Sequence, residues 1–193
     1  MIQVGDGHTE DGTVNSQEMR RRSIIRRLTG RVTAVVFLII TRRRMRGGTY
    51  ILQLPSTVRI ASTSSVVVGE NVMISDHARI VALGGNIHIG DDVFIGKNST
   101  IVAFADLSIG ARTLIGQNCS LHTENHGPVG ARDRYSFAPI LIGDDVWLGA
   151  GVVVTSGCQI AGRITIGANS VVTGDLLVPG LYAGSPARLI RAE

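Results

Sequence analysis

The chain has 193 residues, 24 of them glycine, with aromatic side chains at only 4% and two cysteines. That length gives one domain with an appendage, and two cysteines exclude a disulfide-built framework. The net charge of +4 is unevenly spread: residues 1–46 carry ten Arg against four acids, whereas residues 47–193 carry nine basic against eleven acidic residues. The basicity therefore belongs to the N-terminal segment.

The opening residues are polar and acidic, which predicts no signal peptide and, with unpaired thiols, a cytoplasmic location. A helix is predicted from Gln17 to Arg46, capped by Ser16 with Glu18 in its first turn. Ile24, Ile25, Leu28, Val32, Val35, Val36 and Ile39 share one face of it. The charge-free run between Arg31 and Arg42 is ten residues, about 15 Å as a helix, against the roughly 30 Å of a bilayer core. A transmembrane span is excluded. Two readings remain open: a helix packed on the rest of the fold or on a neighbouring subunit, and a basic amphipathic helix lying on an anionic membrane face. Nucleic-acid binding is disfavoured, because Phe37 is the only aromatic among the arginines. Residues 1–48 are thus an appendage, with Gly47-Gly48 as a hinge. Tyr50 to Ser65 is β-prone, with Pro55 limiting it to an edge or lead-in.

From Val68 an aliphatic residue returns every six positions: Val68, Ile74, Ile80; then Ile89, Ile95, Ile101 after a slip at Gly84-Gly85; then Ile109, Ile115, Leu121 after a slip at Ala105-Asp106. The longest run is Ile142, Leu148, Val154, Ile160, Ile166, Val172, Val178. A small residue often follows (Gly143, Gly149, Ala161, Gly167), and a compact one stands four positions on (Val146, Val152, Cys158, Ile164, Ser170). A period of six is neither helical nor that of a half-buried strand. It is the hexapeptide repeat of a parallel β-helix, in which three flat hexads close a triangular coil of about 18 residues. The aliphatic side chain points inward and the small residue lets the chain turn a corner. Cys119 and Cys158 occupy the second compact position and read as inward-facing small hydrophobes. The fold class is all-β: a hexapeptide prism over residues 49–180, a helical appendage before it, a tail over 181–193, and one protruding loop.

That loop runs from His122 to Pro139, with 21 positions from Leu121 to Ile142, three more than a coil, so it is expected to return about one coil later. Excursions from a solenoid carry function. This one holds His122 and His126, and an imidazole can take a proton from a hydroxyl near neutral pH. The chain ends Ala183-Gly184-Ser185-Pro186-Ala187-Arg188-Leu189-Ile190-Arg191.

Four stretches together, Asn125-His126, Pro139 to Ala150 with Val146-Trp147-Leu148-Gly149, Ile166 to Thr173, and this tail, resemble the hexapeptide-repeat acetyltransferases over roughly residues 66–191. The branch is that of maltose and galactoside, xenobiotic and polysaccharide O-acetyltransferases. The resemblance implies a left-handed parallel β-helix, a homotrimer, and acetyl-CoA in the groove between adjacent prisms, with no metal. It implies transfer of an acetyl group to a hydroxyl of a sugar or glycan precursor; a drug acetyltransferase of the streptogramin or chloramphenicol type is the alternative. The family's catalytic histidine stands five positions after the last core aliphatic before the loop, which here makes His126 the general base. His122 is then structural or faces the substrate, as do Asn125 and Trp147. Gly149 and Ala150 would stabilise the oxyanion through backbone N–H groups. The pantetheine arm would pass Ala168 and Thr173, and Arg188 and Arg191 would meet the phosphates. A sugar-binding Asn and Asp of galactoside enzymes fall on Gly96 and Phe104 here. With simple galactosides disfavoured, the basic helix of residues 17–46 suggests peripheral contact with the inner face of the membrane and a lipid-linked acceptor. A zinc site from His88, His122 and His126, as in γ-carbonic anhydrases, is disfavoured by their spacing.

Overall fold

The computed structural model describes residues 45–53, 56–127 and 134–193. The predicted N-terminal helix lies outside them, except that its last expected residues, Met45 and Arg46, are in a strand.

Three parallel sheets form the faces of a triangular β-solenoid. Face A stacks Met45–Gly47, Val66–Val68, Ile87–Ile89, Leu107–Ile109, Ile140–Ile142 and Gln159–Ile160. Face B begins at Tyr50–Leu52 and rises through Val72–Ile74, Phe94–Ile95, Leu114–Ile115, Trp147–Leu148 and Ile164–Ile166. Face C begins at Thr57–Ile60 and rises through Arg79–Ala82, Thr100–Ala103, Ser120–His122, Val153–Val154 and Val171–Val172. The chain visits A, B and C in turn. The inward columns are the expected aliphatic residues, with Ile74, Ile95, Ile115, Leu148 and Ile166 all at 0% exposure on face B. Stacked this way, each side chain lies on its homologue from the next coil, and burial of each contributes about 1.5–3 kcal/mol. Cys119 and Cys158 are buried among them, and burial pushes both thiols up, which makes neither a nucleophile.

The corners differ from expectation in an informative way. The residue that reverses the chain stands three positions after the inward aliphatic, where Asn71, His77, Asp92, Asn98, Arg112, Asn118, Asp145, Arg163 and Asn169 all have φ between 55° and 59°. Asn and Asp tolerate this left-handed conformation best. The small residue directly after the aliphatic has another purpose: the next coil's backbone lies against it. A Cβ on Gly149 would stand 2.7 Å from the Ala168 nitrogen, and one on Gly143 would stand 2.6 Å from that of Gly162. A regular corner thus needs a residue without bulk and, two positions on, one that accepts positive φ.

Three further expectations are corrected. Gly47-Gly48 is no hinge, since Gly47 pairs with Val68 and the Gly48 N–H donates to the Val68 carbonyl at 2.8 Å. The segment from Tyr50 supplies edge strands, one of the two places expected for it, and they complete a first coil, as Val58 pairs with Ile80. Val178 is 48% exposed; Leu176 fills the inward place beside Ile160, because the chain is two residues short at that corner. Finally, the loop does not return a coil later. Ile142 pairs with Ile109, so the chain leaves at the edge between faces C and A and rejoins at the start of the next face A strand. The tail caps the prism as a hairpin, Arg188–Ala192 antiparallel to Gly180–Ala183, with a cis Ser185–Pro186 peptide at its turn.

Candidate active site

The loop at the C/A edge is a short antiparallel hairpin, Glu124–His126 against Tyr135–Phe137, with His126 opposite Tyr135 and Glu124 opposite Phe137. Its neck is fixed from two coils. Thr123 is fully buried, and its hydroxyl accepts the N–H groups of Phe104 (2.8 Å) and Ala105 (3.0 Å) from the coil before. From the coil after, the Ser156 hydroxyl donates to the Thr123 carbonyl (2.8 Å) and accepts the Ala138 N–H (3.0 Å). The Ala138 N–H also donates to the Thr123 carbonyl at 3.1 Å. Buried backbone groups need such partners wherever a chain leaves its sheet.

Beyond the neck, alternation along a strand decides what faces where. His126, Glu124, Tyr135 and Phe137 share one side of the hairpin, and Asn125 and Ser136 the other. The His126 ring lies 4.6 Å from that of Tyr135, Tyr135 lies 6.4 Å from Phe137, and Phe137 stacks on Phe104 at 5.4 Å. Phe104, in the position of the galactoside enzymes' Asp, is thus a wall of the site. Gly96, in the position of their Asn, is pressed against Gly116 and has no side chain to offer.

His122 ends the face C strand, above Val102, with its ring 37% exposed. Its Nδ1 is 3.0 Å from Oε1 of Glu124. The role of Glu124 was not foreseen from the sequence, although its signal was available: Ser120, His122, Glu124 and His126 alternate at period two. Thr123, Ser156, Tyr135 and Phe137 were also not foreseen, because their partners are distant in sequence.

The residues expected to hold acetyl-CoA are elsewhere. Gly149, Ala150 and Ala168 lie on the B/C edge, where the Asn169 N–H donates to the Ala150 carbonyl at 2.8 Å. The Gly149 N–H is engaged with the Ile166 carbonyl at 2.8 Å, so it is not available as the expected oxyanion donor. Arg188 pairs with Ala183 at the top of this edge. Trp147, expected at the acceptor, is 54% exposed on the outer side of face B, in one column with Phe94 and Leu114. Two expected contacts fall away from the B/C edge. Thr173 sits past the end of the top face C strand. Arg191 pairs with Leu181 and lines a cleft of about 430 Å³ with Asp145, Arg163 and Glu193. Across face C the B/C and C/A edges are a hexad apart, roughly 20 Å at 3.3 Å per residue. One chain therefore does not bring His126 to Ala150 and Ala168. His88 stands on the outer side of face A, apart from the loop, and among the described residues no three His, Cys, Asp or Glu side chains gather as a metal site.

A hexapeptide β-solenoid is the fold of a class of transferases, and known proteins similar to this chain belong to that class. The bacterial transferase hexapeptide family (six repeats) matches residues 139–174, and the hexapeptide repeat of succinyl-transferase matches residues 86–103. The galactoside O-acetyltransferase of Escherichia coli K12 is 36% identical over 162 residues, 77% of this chain and 78% of that protein. From the same organism WbbJ, provisionally named a lipopolysaccharide biosynthesis O-acetyl transferase, is 30% identical over 73% of this chain and 78% of its own length. Among solved structures, a hexapeptide-repeat acetyltransferase of Vibrio cholerae complexed with acetyl coenzyme A is 29% identical, covers 77% of this chain and 70% of that one, and superposes with a TM-score of 0.52. The chain belongs to the hexapeptide-repeat acetyltransferase family, and it is an acyltransferase.

Proposed function

We propose that the chain is an acetyl-CoA-dependent O-acetyltransferase acting on a hydroxyl of a sugar or glycan precursor, with His126 as general base. The observation that carries this reading is the hairpin itself: two coils pin its neck through Thr123 and Ser156 and hold His126 out beside Tyr135. The acceptor oxygen attacks the thioester carbonyl carbon while the imidazole takes the hydroxyl proton. The Ala150 N–H supports the developing oxyanion. Collapse breaks the C–S bond, and the leaving thiolate takes the proton back from the imidazolium, giving an acetyl ester and free CoA. Acetyl-CoA lies along Gly149, Ala150 and Ala168, with Arg188 toward its phosphates, and His122 faces the acceptor.

Because the two halves of this site occupy opposite edges of face C, the reading requires a homotrimer, in which a neighbour's B/C edge meets the loop. The exposed column Phe94, Leu114 and Trp147 suits such a contact. Replacing His126 by Ala should lower kcat by about 10²–10⁴ and leave the acetyl-CoA KM nearly unchanged, read as thiol release. A full-strength His126→Ala enzyme would end the proposal.

Among the described residues no helix is long and apolar enough to cross a membrane. For a cytoplasmic enzyme, the basic segment of residues 17–46 gives peripheral contact with an anionic leaflet, each Arg contributing on the order of 1 kcal/mol. Full-length protein should co-sediment with phosphatidylserine vesicles, and a chain starting at Met45, which keeps the first strand of the prism, should not.

A further inference from the structure

Two imidazoles stand at the C/A edge, His122 at the end of the face C strand and His126 on the hairpin, and the reaction uses one. The other, His122, is held by a carboxylate: Glu124 Oε1 stands 3.0 Å from its Nδ1. Glu124 is mostly buried, its side chain 21% exposed, beneath the strand that carries Phe137. Its second oxygen, Oε2, is buried without a hydrogen-bond partner among the described residues. An unsatisfied buried carboxylate oxygen destabilises the fold, and its persistence calls for a role other than stability. Orienting an imidazole is such a role. A carboxylate facing Nδ1 fixes the proton there, so Nε2 carries the lone pair and becomes a hydrogen-bond acceptor. Alternation along the strand sets His122, Glu124 and His126 on one side. Four residues of extended chain put the two histidines at most about 13 Å apart, longer than one pyranose ring and close to the length of two.

Resting on the acetyl-transfer reading above, we infer that His122, oriented by Glu124, accepts a hydrogen bond from a hydroxyl on the sugar unit next to the one acetylated, so that the acceptor is a glycan of at least two units. Glu124 is then a positioning residue. Phe104, Phe137 and Tyr135 form an aromatic row along the same side.

The test is steady-state thiol release from acetyl-CoA by the full chain, with lactose and maltose as acceptors beside methyl β-galactopyranoside and methyl α-glucopyranoside. His122→Ala should raise the KM for a disaccharide about three- to tenfold, the worth of one hydrogen bond, change the monosaccharide KM distinctly less, and leave the acetyl-CoA KM in place. Glu124→Ala should give the same change. Glu124→Gln should restore most of the affinity, because its carbonyl still accepts from Nδ1–H. The double variant should be no worse than His122→Ala alone. Equal effects on mono- and disaccharides would overturn the inference. So would a fall in kcat to the His126→Ala level at unchanged KM, which would make His122 the base. Should His122→Ala unfold by circular dichroism, the contrast between Glu124→Ala and Glu124→Gln decides between the same two outcomes. Undiminished turnover by His126→Ala would break the general-base reading without touching the disaccharide contrast, whereas no thiol release with any of the four sugars would overturn the sugar acceptor and this inference together.

Discussion

Two kinds of edge run up this prism. At the A/B and B/C edges above the first coil, a six-residue step from one inward aliphatic to the next holds from Val68 to Ile166, always with a positive-φ residue at the third position. At the C/A edge the step is never settled. Val58 to Val68, Ile80 to Ile89, Ile101 to Ile109, Leu121 to Ile142, Val154 to Ile160 and Val172 to Leu176 differ in length from coil to coil, yet every one restores the register. A regular corner is constrained because its backbone lies against the coils on either side. The C/A turns also touch one another, Gly85 lying against Ala105, but the length of their step varies, and lengthening a closed loop costs little. The hairpin grew where the fold could accept it, and Thr123 and Ser156 tie off its neck.

Cutting the loop away tests this contrast most severely. Replacing residues 124–137 by one glycine leaves Leu121 eight positions from Ile142, the spacing of Ile101 to Ile109. Activity should vanish by at least the 10²–10⁴ expected for a lost general base. The melting midpoint should move by only a few degrees, at about 2–4 °C per kcal/mol for a chain of this size. Collapse of the fold would mean that the hairpin is structural.

Two glycines sharpen the comparison next. A Cβ at Gly116 would lie 2.8 Å from the Ala150 nitrogen, and one at Gly174 would meet nothing within 4 Å. Gly116→Ala should therefore cost about 1–3 kcal/mol, as overpacking does. Gly174→Ala should be neutral or stabilise by about 0.4–1 kcal/mol through the unfolded chain. Denaturant melts of the two would show the edges to be alike if both variants lost stability equally.

The smallest effect concerns charge on the A/B edge. Arg112 donates to Asp145 through Nε (2.7 Å) and Nη2 (2.8 Å) and reaches Asp144 at 3.2 Å. These hydrogen bonds hold the Asp145 carboxyl below its usual range, while Arg112 shifts upward. For a depressed carboxylate the stabilisation is complete above its unfolded pKa, about 3.8, and is lost as pH falls through the lower folded value. Arg112→Ala should lower the melting midpoint slightly at neutral pH, less so in high salt, and the difference should vanish in strong acid. A difference that persisted there would point to packing of the Arg112 stem instead.

Composition and period alone determined the prism. Ile, Val or Leu every six positions has few ways to be buried, so the inward columns, the inward cysteines and the two early slips were all legible in the sequence. His126 was legible too as a candidate, because a long interruption in a strict repeat announces itself. What the period could not give lay where it lapses. That Leu176, and not Val178, closes the last coil depends on how Tyr182 stacks on Ile166, which is a choice of register between chain segments 16 residues apart. That Glu124 meets His122 and that Phe137 finds Phe104 depend on how the hairpin folds back on the C/A edge. Local sequence sets which side chains alternate along a strand, but the strand's partner is set by contacts that exist only once the coils have stacked. So too with the separation of His126 from Ala150 across face C: adjacency along the repeat does not say which edge of a triangle a residue will occupy until the turns between have been counted in three dimensions.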